Sequence, residues 1–148
     1  MDTSTDNSVS RSTAAGAVLA PVIEFLVRHA PFDRMAATHL EFLAQRAQLA
    51  FYPKGEAITD PAQGTARRFF IIKQGRVRGE VEPGRDHDAW ELHAGECFPI
   101  GALLSRRPVR VAQRAVEDTF CFELTHADFD TLYADSPEFR DFCSRRLA

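Results

Sequence analysis

RFFIIKQGRVRGEV, residues 68–81, holds two strand-like pieces, RFFIIK and RVRGEV, joined at Gln74-Gly75. A glycine there supplies the positive backbone dihedral that a tight reversal needs, so the stretch predicts an antiparallel strand pair. The same grammar extends in both directions. LAFY and EAIT precede it, and AWELH, ECFPI, VRVAQRA and TFCFEL follow, with Lys54-Gly55, Pro83-Gly84 and Ala94-Gly95 as further turns. Gly55, Gly75 and Gly95 lie twenty residues apart, but their flanks do not match, which excludes a solenoid repeat. About eight short strands over residues 48–124 predict a roll, barrel or sandwich.

Helical spacing frames this run. Pro21 suits a first helical turn, Ile23, Leu26, Val27 and Ala30 form a stripe, and Pro31 stops it. Thr38 and Glu41 read as a capping box before the stripe Leu40, Leu43, Ala44 and Ala47. Beyond Leu124, Phe129, Leu132 and Tyr133 make one helical face, and Ser136-Pro137 opens another with Phe139, Phe142, Cys143 and Leu147. Helices, antiparallel strands, then helices describe an α+β domain with a β-roll or jelly roll of about eight strands, flanked by N-terminal and C-terminal helices. Residues 1–17, rich in Ser, Thr and Asp, predict a disordered tail, leaving residues 18–148 as the folded domain. The apolar period running to Ala148 without a stop signal suggests a domain excised from a longer polypeptide.

The 148 residues allow one ordinary domain, and 45% hydrophobic content with 12 Phe supports a real core. A net charge of −3 with scattered arginine pairs argues against a nucleic-acid partner. Pro21 and Glu24 interrupt the one signal-like run, and no apolar stretch is long enough to span a bilayer. Cys97, Cys121 and Cys143, odd in number and set among apolar residues, read as buried free thiols, so a cytoplasmic location is expected.

Signals for chemistry are thin. His87, His93 and Cys97, near Asp86 and Asp88, are metal-ligand types, but the six-residue gap between the histidines favours solvated loop residues over a cupin-like metal site. His29, His39 and His126 fall at helix ends, where capping or surface roles suffice. No cysteine has a partner at nucleophile spacing, and neither a Gly-x-Ser-x-Gly nor a Walker-type loop is present. Trp90, Phe69 and Phe70 could stack a base, yet strand aromatics are more often core. Glu80 and Glu82 read as a solvated strand face, and Arg67-Arg68 as bland surface.

The stretch FPIGALLSRRPV, residues 98–109, has the shape of an anion cradle: a glycine and small apolar residues ahead of a strand carrying arginines and a proline. With Tyr52-Pro53-Lys54-Gly55-Glu56, FFIIKQGRV (69–77), Ala94-Gly95-Glu96-Cys97-Phe98 and Ala115-Val116-Glu117-Asp118, it resembles the cyclic nucleotide-binding domain of catabolite-activator-type factors and kinase regulatory subunits. FPIGALLSRRPV, AVEDTFCFEL and SPEFRDFCSRRLA are most similar to bacterial proteins that add cystathionine-β-synthase-type domains and a putative nucleotidyltransferase.

The resemblance implies a phosphate cassette reading Phe-Gly-Glu, a few small residues, then Pro-Arg. Matching Phe98 and Pro108 sets Pro99 at the glycine, Ile100 at the glutamate and Val109 at the arginine. The family's glutamate accepts from the ribose hydroxyl and its arginine neutralises the cyclic phosphate. Losing both, at about 1.5–3 kcal/mol each, implies an affinity lower by roughly 10²- to 10⁴-fold. Arg110, one residue on, falls on the opposite face of a strand unless a bulge intervenes, and Arg107 could fold inward from the loop. The amides of Gly101, Ala102 and Leu103 could still hold a weak anion.

The expectation is a non-catalytic regulatory or sensor domain with a degenerate cassette at Phe98, Ile100, Gly101, Ala102, Leu103, Arg107, Val109 and Arg110. It would control or scaffold downstream domains through its C-terminal helices. No catalytic residue, metal or resident cofactor is expected, and cAMP or cGMP would bind weakly or not at all. A working binder of a cyclic nucleotide or small anion is the alternative, and a cupin-like metalloenzyme a distant second. A homodimer is left open.

Overall fold

Alternation along one strand organises both cores. In the computed structural model, which describes residues 19–80 and 89–146, Phe69 and Ile71 pack toward the helices while Phe70 and Ile72 pack into the roll. Successive strand residues face opposite ways, so a run apolar at all four positions marks a strand buried on both faces. The strands are β1 (Gln48–Tyr52), β2 (Ala57–Thr59), β3 (Arg68–Gln74), β4 (Val77–Glu80), β5 (Trp90–Leu92), β6 (Cys97–Phe98), β7 (Ala112–Ala115) and β8 (Thr119–Thr125). They form two antiparallel sheets ordered β1-β8-β3-β6 and β2-β7-β4-β5, the expected roll.

The helices are α1 over residues 19–26, α2 (Ala37–Arg46), α3 (Ile100–Ser105), α4 (His126–Asp135) and α5 (Pro137–Arg145). Phe129, Phe139 and Phe69 meet there with ring centroids 5.1–5.6 Å apart, joining α4, α5 and β3. Among the described residues no helix is long and apolar enough to cross a membrane. Gln74-Gly75 makes the expected turn, with Gly75 at φ 110°. Ser136 caps α5 by accepting from the Phe139 amide, and Pro137 occupies its first turn, as the Ser-Pro pair indicates.

Several expectations are corrected. Thr38 is not a cap: Ala36 precedes α2 and no side chain closes its N-terminus. Ile23 and Leu26 face inward, but Val27 lies beyond the end of α1 and is exposed. Glu80 is buried, with Arg78 Nε 3.4 Å away, because β4 lies between β7 and β5 rather than at an edge. Trp90 is 39% exposed, since β5 is an edge strand and its indole lies over Gly79 instead of inside the roll. Cys121 and Cys143 are buried as expected, while Cys97 is partly exposed. The proposed tail, Glu82, Pro83-Gly84, Asp86, His87, Asp88 and Leu147 lie outside the described residues.

Candidate functional site

The cassette segment is not continuous strand. Pro99 has no amide hydrogen to continue the ladder, so β6 stops at Phe98 and α3 begins at Ile100. The helix ends at Arg106, held in the left-handed region at φ 58°. The chain then leaves regular structure: Pro108 makes an isolated bridge to Thr65, the Val109 amide donates to Gly64 O at 2.8 Å, and strand β7 begins only at Ala112.

A cavity of about 560 Å³ opens under this segment. Phe98, Ile100 and Val109 are its buried apolar floor, and Gly101, Ala102, Arg107 and Arg110 also line it. Seven of the eight expected site residues therefore converge. Leu103 does not: it is fully buried in the helix-side core. Arg110 reaches the cavity because residues 107–111 are irregular, so strand alternation never separates it from Val109. Arg107 and Arg110 are exposed and make no ion pair among the described residues.

Trp90 of β5, weighed from the sequence as able to stack a base, is one wall; Leu92 of β5, and Phe142 and Arg146 of α5 and its end, are walls that sequence reasoning missed. The signal for α5 was its apolar stripe, in which Phe139 and Cys143 go to the core and Phe142 is left at the edge to face the cavity. Arg146 lies over the Phe142 ring, 4.5 Å from its centroid. With Glu96, the cavity collects three arginines and one glutamate, all at its rim.

The cassette helix is tied to α4. Arg106 Nη2 donates to Asp130 Oδ2 at 2.8 Å, and His126 Nε2 sits 3.0 Å from Leu103 O and 3.6 Å from Asp130 Oδ1. His126 thus joins two helices, a role its position at a helix start did not reveal. Arg68, expected to be bland, donates to the buried Glu123 carboxylate at 2.7 Å, and Tyr52 donates to its other oxygen. Burial and that bond push the Tyr52 phenol well above its usual range. Burial also pushes the thiols of Cys121 and Cys143 up to about 12, which suppresses the nucleophilic thiolate. Among the described residues no three His, Cys, Asp or Glu side chains gather as a metal ligand set.

A family model of the cyclic nucleotide-binding domain matches residues 49–136, from β1 through the roll and cassette to the end of α4. The chain belongs to the cyclic nucleotide-binding domain family.

Solved structures agree at the level of fold. The regulatory domain of Toxoplasma gondii PKA, co-crystallised with cAMP, superposes with a TM-score of 0.77 at 19% identity, covering 91% of this chain and 51% of that one. The regulatory subunit of a cAMP-independent protein kinase A from Trypanosoma brucei gives 0.76 at 18%, over 90% and 47% of the two chains. The corresponding Trypanosoma cruzi subunit, bound to guanosine, gives 0.76 at 16%, over 88% and 46%. This cyclic nucleotide-binding domain spans about half the length of those structures. No curated protein matches the sequence. The fold is that of a cyclic nucleotide-binding regulatory domain, as in PKA regulatory subunits.

Proposed function

We propose that this chain is a non-catalytic regulatory domain whose cassette no longer holds a cyclic nucleotide at ordinary concentrations, and whose cavity state is read by its C-terminal helices. The supporting observation is the cavity floor. Ile100 and Val109, which stand where the family pattern has its glutamate and arginine, are 7% and 5% exposed and leave the floor without a charge. A cyclic phosphate placed there would lose water without gaining a charged partner, an unfavourable exchange. The output follows from Phe142 and Arg146, which make α5 a wall of the cavity, so an occupant touches the helix directly.

The controlled domains would lie in the same polypeptide, with the cystathionine-β-synthase-type and nucleotidyltransferase proteins as the pattern, acting in the cytoplasm. A ligand without phosphate suits an apolar floor, and the Trypanosoma cruzi neighbour bound to guanosine offers a class to test. A second reading is favoured by Arg107 and Arg110, which line the cavity without an ion-pair partner among the described residues and could hold an anion at its rim. Calorimetric titration with cAMP, cGMP and guanosine separates the two. No cyclic-nucleotide binding at micromolar concentration supports the first reading; micromolar binding abolished by Arg110→Ala establishes the second.

A further inference from the structure

A second cavity, of about 520 Å³, lies across Val109 from the first, and Val109 lines both. We propose that it is a separate binding site for a small organic carboxylate with a compact apolar body. Its apolar wall is Ile58, Phe70, Ala66 and Val109, of which the first two belong to the inner core of the roll. An apolar wall with a few charged groups is the usual make-up of a small-molecule site, and the charges decide which end of a ligand enters where.

Among the described residues the cavity contains one acid, Glu123, and it is satisfied. Its side chain is 5% exposed, Arg68 Nη1 donates to Oε1 at 2.7 Å, and Tyr52 donates to Oε2. A cationic ligand would have to displace Arg68 from a buried carboxylate, leaving a buried charge to be paired afresh. Arg67 lines the same cavity, is exposed, and makes no ion pair among the described residues. The uncommitted charge is therefore positive, at the side of an apolar chamber. A carboxylate meets Arg67 with fork-to-fork geometry while its apolar body covers Ile58 and Phe70. The site is distinct from the cassette cavity: none of Trp90, Gly101, Arg107, Arg110 or Phe142 lines it.

The test is titration of the full 148-residue chain with 2-naphthoate, followed by ¹⁵N-resolved NMR. Saturable shifts are expected at the Gly64, Thr65 and Ala66 amides, with the indole signal of Trp90, the single tryptophan and a marker of the first cavity, unmoved. Arg67→Gln, a change at an exposed side chain, should weaken binding by about 10-fold or more, and neutral 2-naphthalenemethanol should bind weaker by a similar factor, because both remove one charge-assisted contact. Three results overturn the proposal: no shift up to about 1 mM, shifts at Trp90 and Gly101 instead of Gly64 to Ala66, or equal affinity in Arg67→Gln.

Discussion

Arg106 and Asp130 meet at 2.8 Å, tying the end of the cassette helix to the first half of α4. Both side chains are largely exposed, at 63% and 39%, so the pair is worth little to global stability, about 0–1 kcal/mol. Its weight is local: it restrains α3 together with the His126 contact to Leu103 O. Asp130→Asn should therefore speed amide exchange several-fold in residues 100–106, with a near-unchanged denaturation midpoint. Hydrogen exchange with mass spectrometry reads residues 100–106, and urea denaturation reads the midpoint. Unchanged exchange in α3 would mean that the cassette is held by its own packing alone.

Trp90 is the single tryptophan of the chain, and it lies over Gly79 on the wall of the first cavity. Any molecule that occupies that cavity displaces water beside the indole, so it should shift or quench intrinsic fluorescence in a saturable way. A ligand that binds by calorimetry and leaves the emission unchanged is bound elsewhere.

Gly75 and Gly55 separate two causes of glycine dependence. Both have positive φ, 110° and 92°, so alanine strains the backbone at either position. At Gly75 an added methyl would also collide with the Thr119 backbone and hydroxyl, whereas nothing lies within 4 Å at Gly55. Gly75→Ala should cost about 2–4 kcal/mol and Gly55→Ala only about 1–2 kcal/mol in urea denaturation. Equal costs would show that the turn moves aside freely.

Burial of Cys121 and Cys143 sets an alkaline limit. Their folded values lie near 12, above the ordinary 9.0, so between these values the unfolded chain loses thiol protons that the folded chain keeps. Stability is then fully present below about pH 9 and declines as pH rises toward 12, by up to about 1.4 kcal/mol per pH unit for each thiol. The raised phenol of Tyr52 adds in the same direction above pH 10. Denaturation midpoints from pH 8 to 11 should fall, and fall less steeply in Cys121→Ala/Cys143→Ala. A flat profile would contradict the burial of these groups.

Local signals in the sequence carried the roll because turns and strand alternation are short-range. Gln74-Gly75 and the flanking pieces RFFIIK and RVRGEV are enough to predict a turn between two strands. Burial of Glu80 and exposure of Trp90 were not legible, because each depends on whether its strand is interior or at an edge, which pairing between distant segments decides. Residues 98–109 were legible as a candidate segment through Phe98, Gly101 and Pro108, and these three line the first cavity. The walls opposite were not legible, since Phe142 and Arg146 reach the cavity only after α5 docks through Phe139 and Cys143. The Tyr52–Glu123–Arg68 cluster joins residues up to 71 positions apart and has no local signature.

On the proposed reading, Ile100 and Val109 replace the groups that would hold a cyclic nucleotide in this cavity. The most direct measurement is cAMP affinity by calorimetry for the unaltered chain and for Ile100→Glu/Val109→Arg, with circular dichroism confirming that both fold. Restoring two charge-assisted contacts should tighten binding by about 100-fold or more, from no detectable binding at micromolar concentration. Micromolar binding by the unaltered chain, with no gain in the folded double variant, would contradict it.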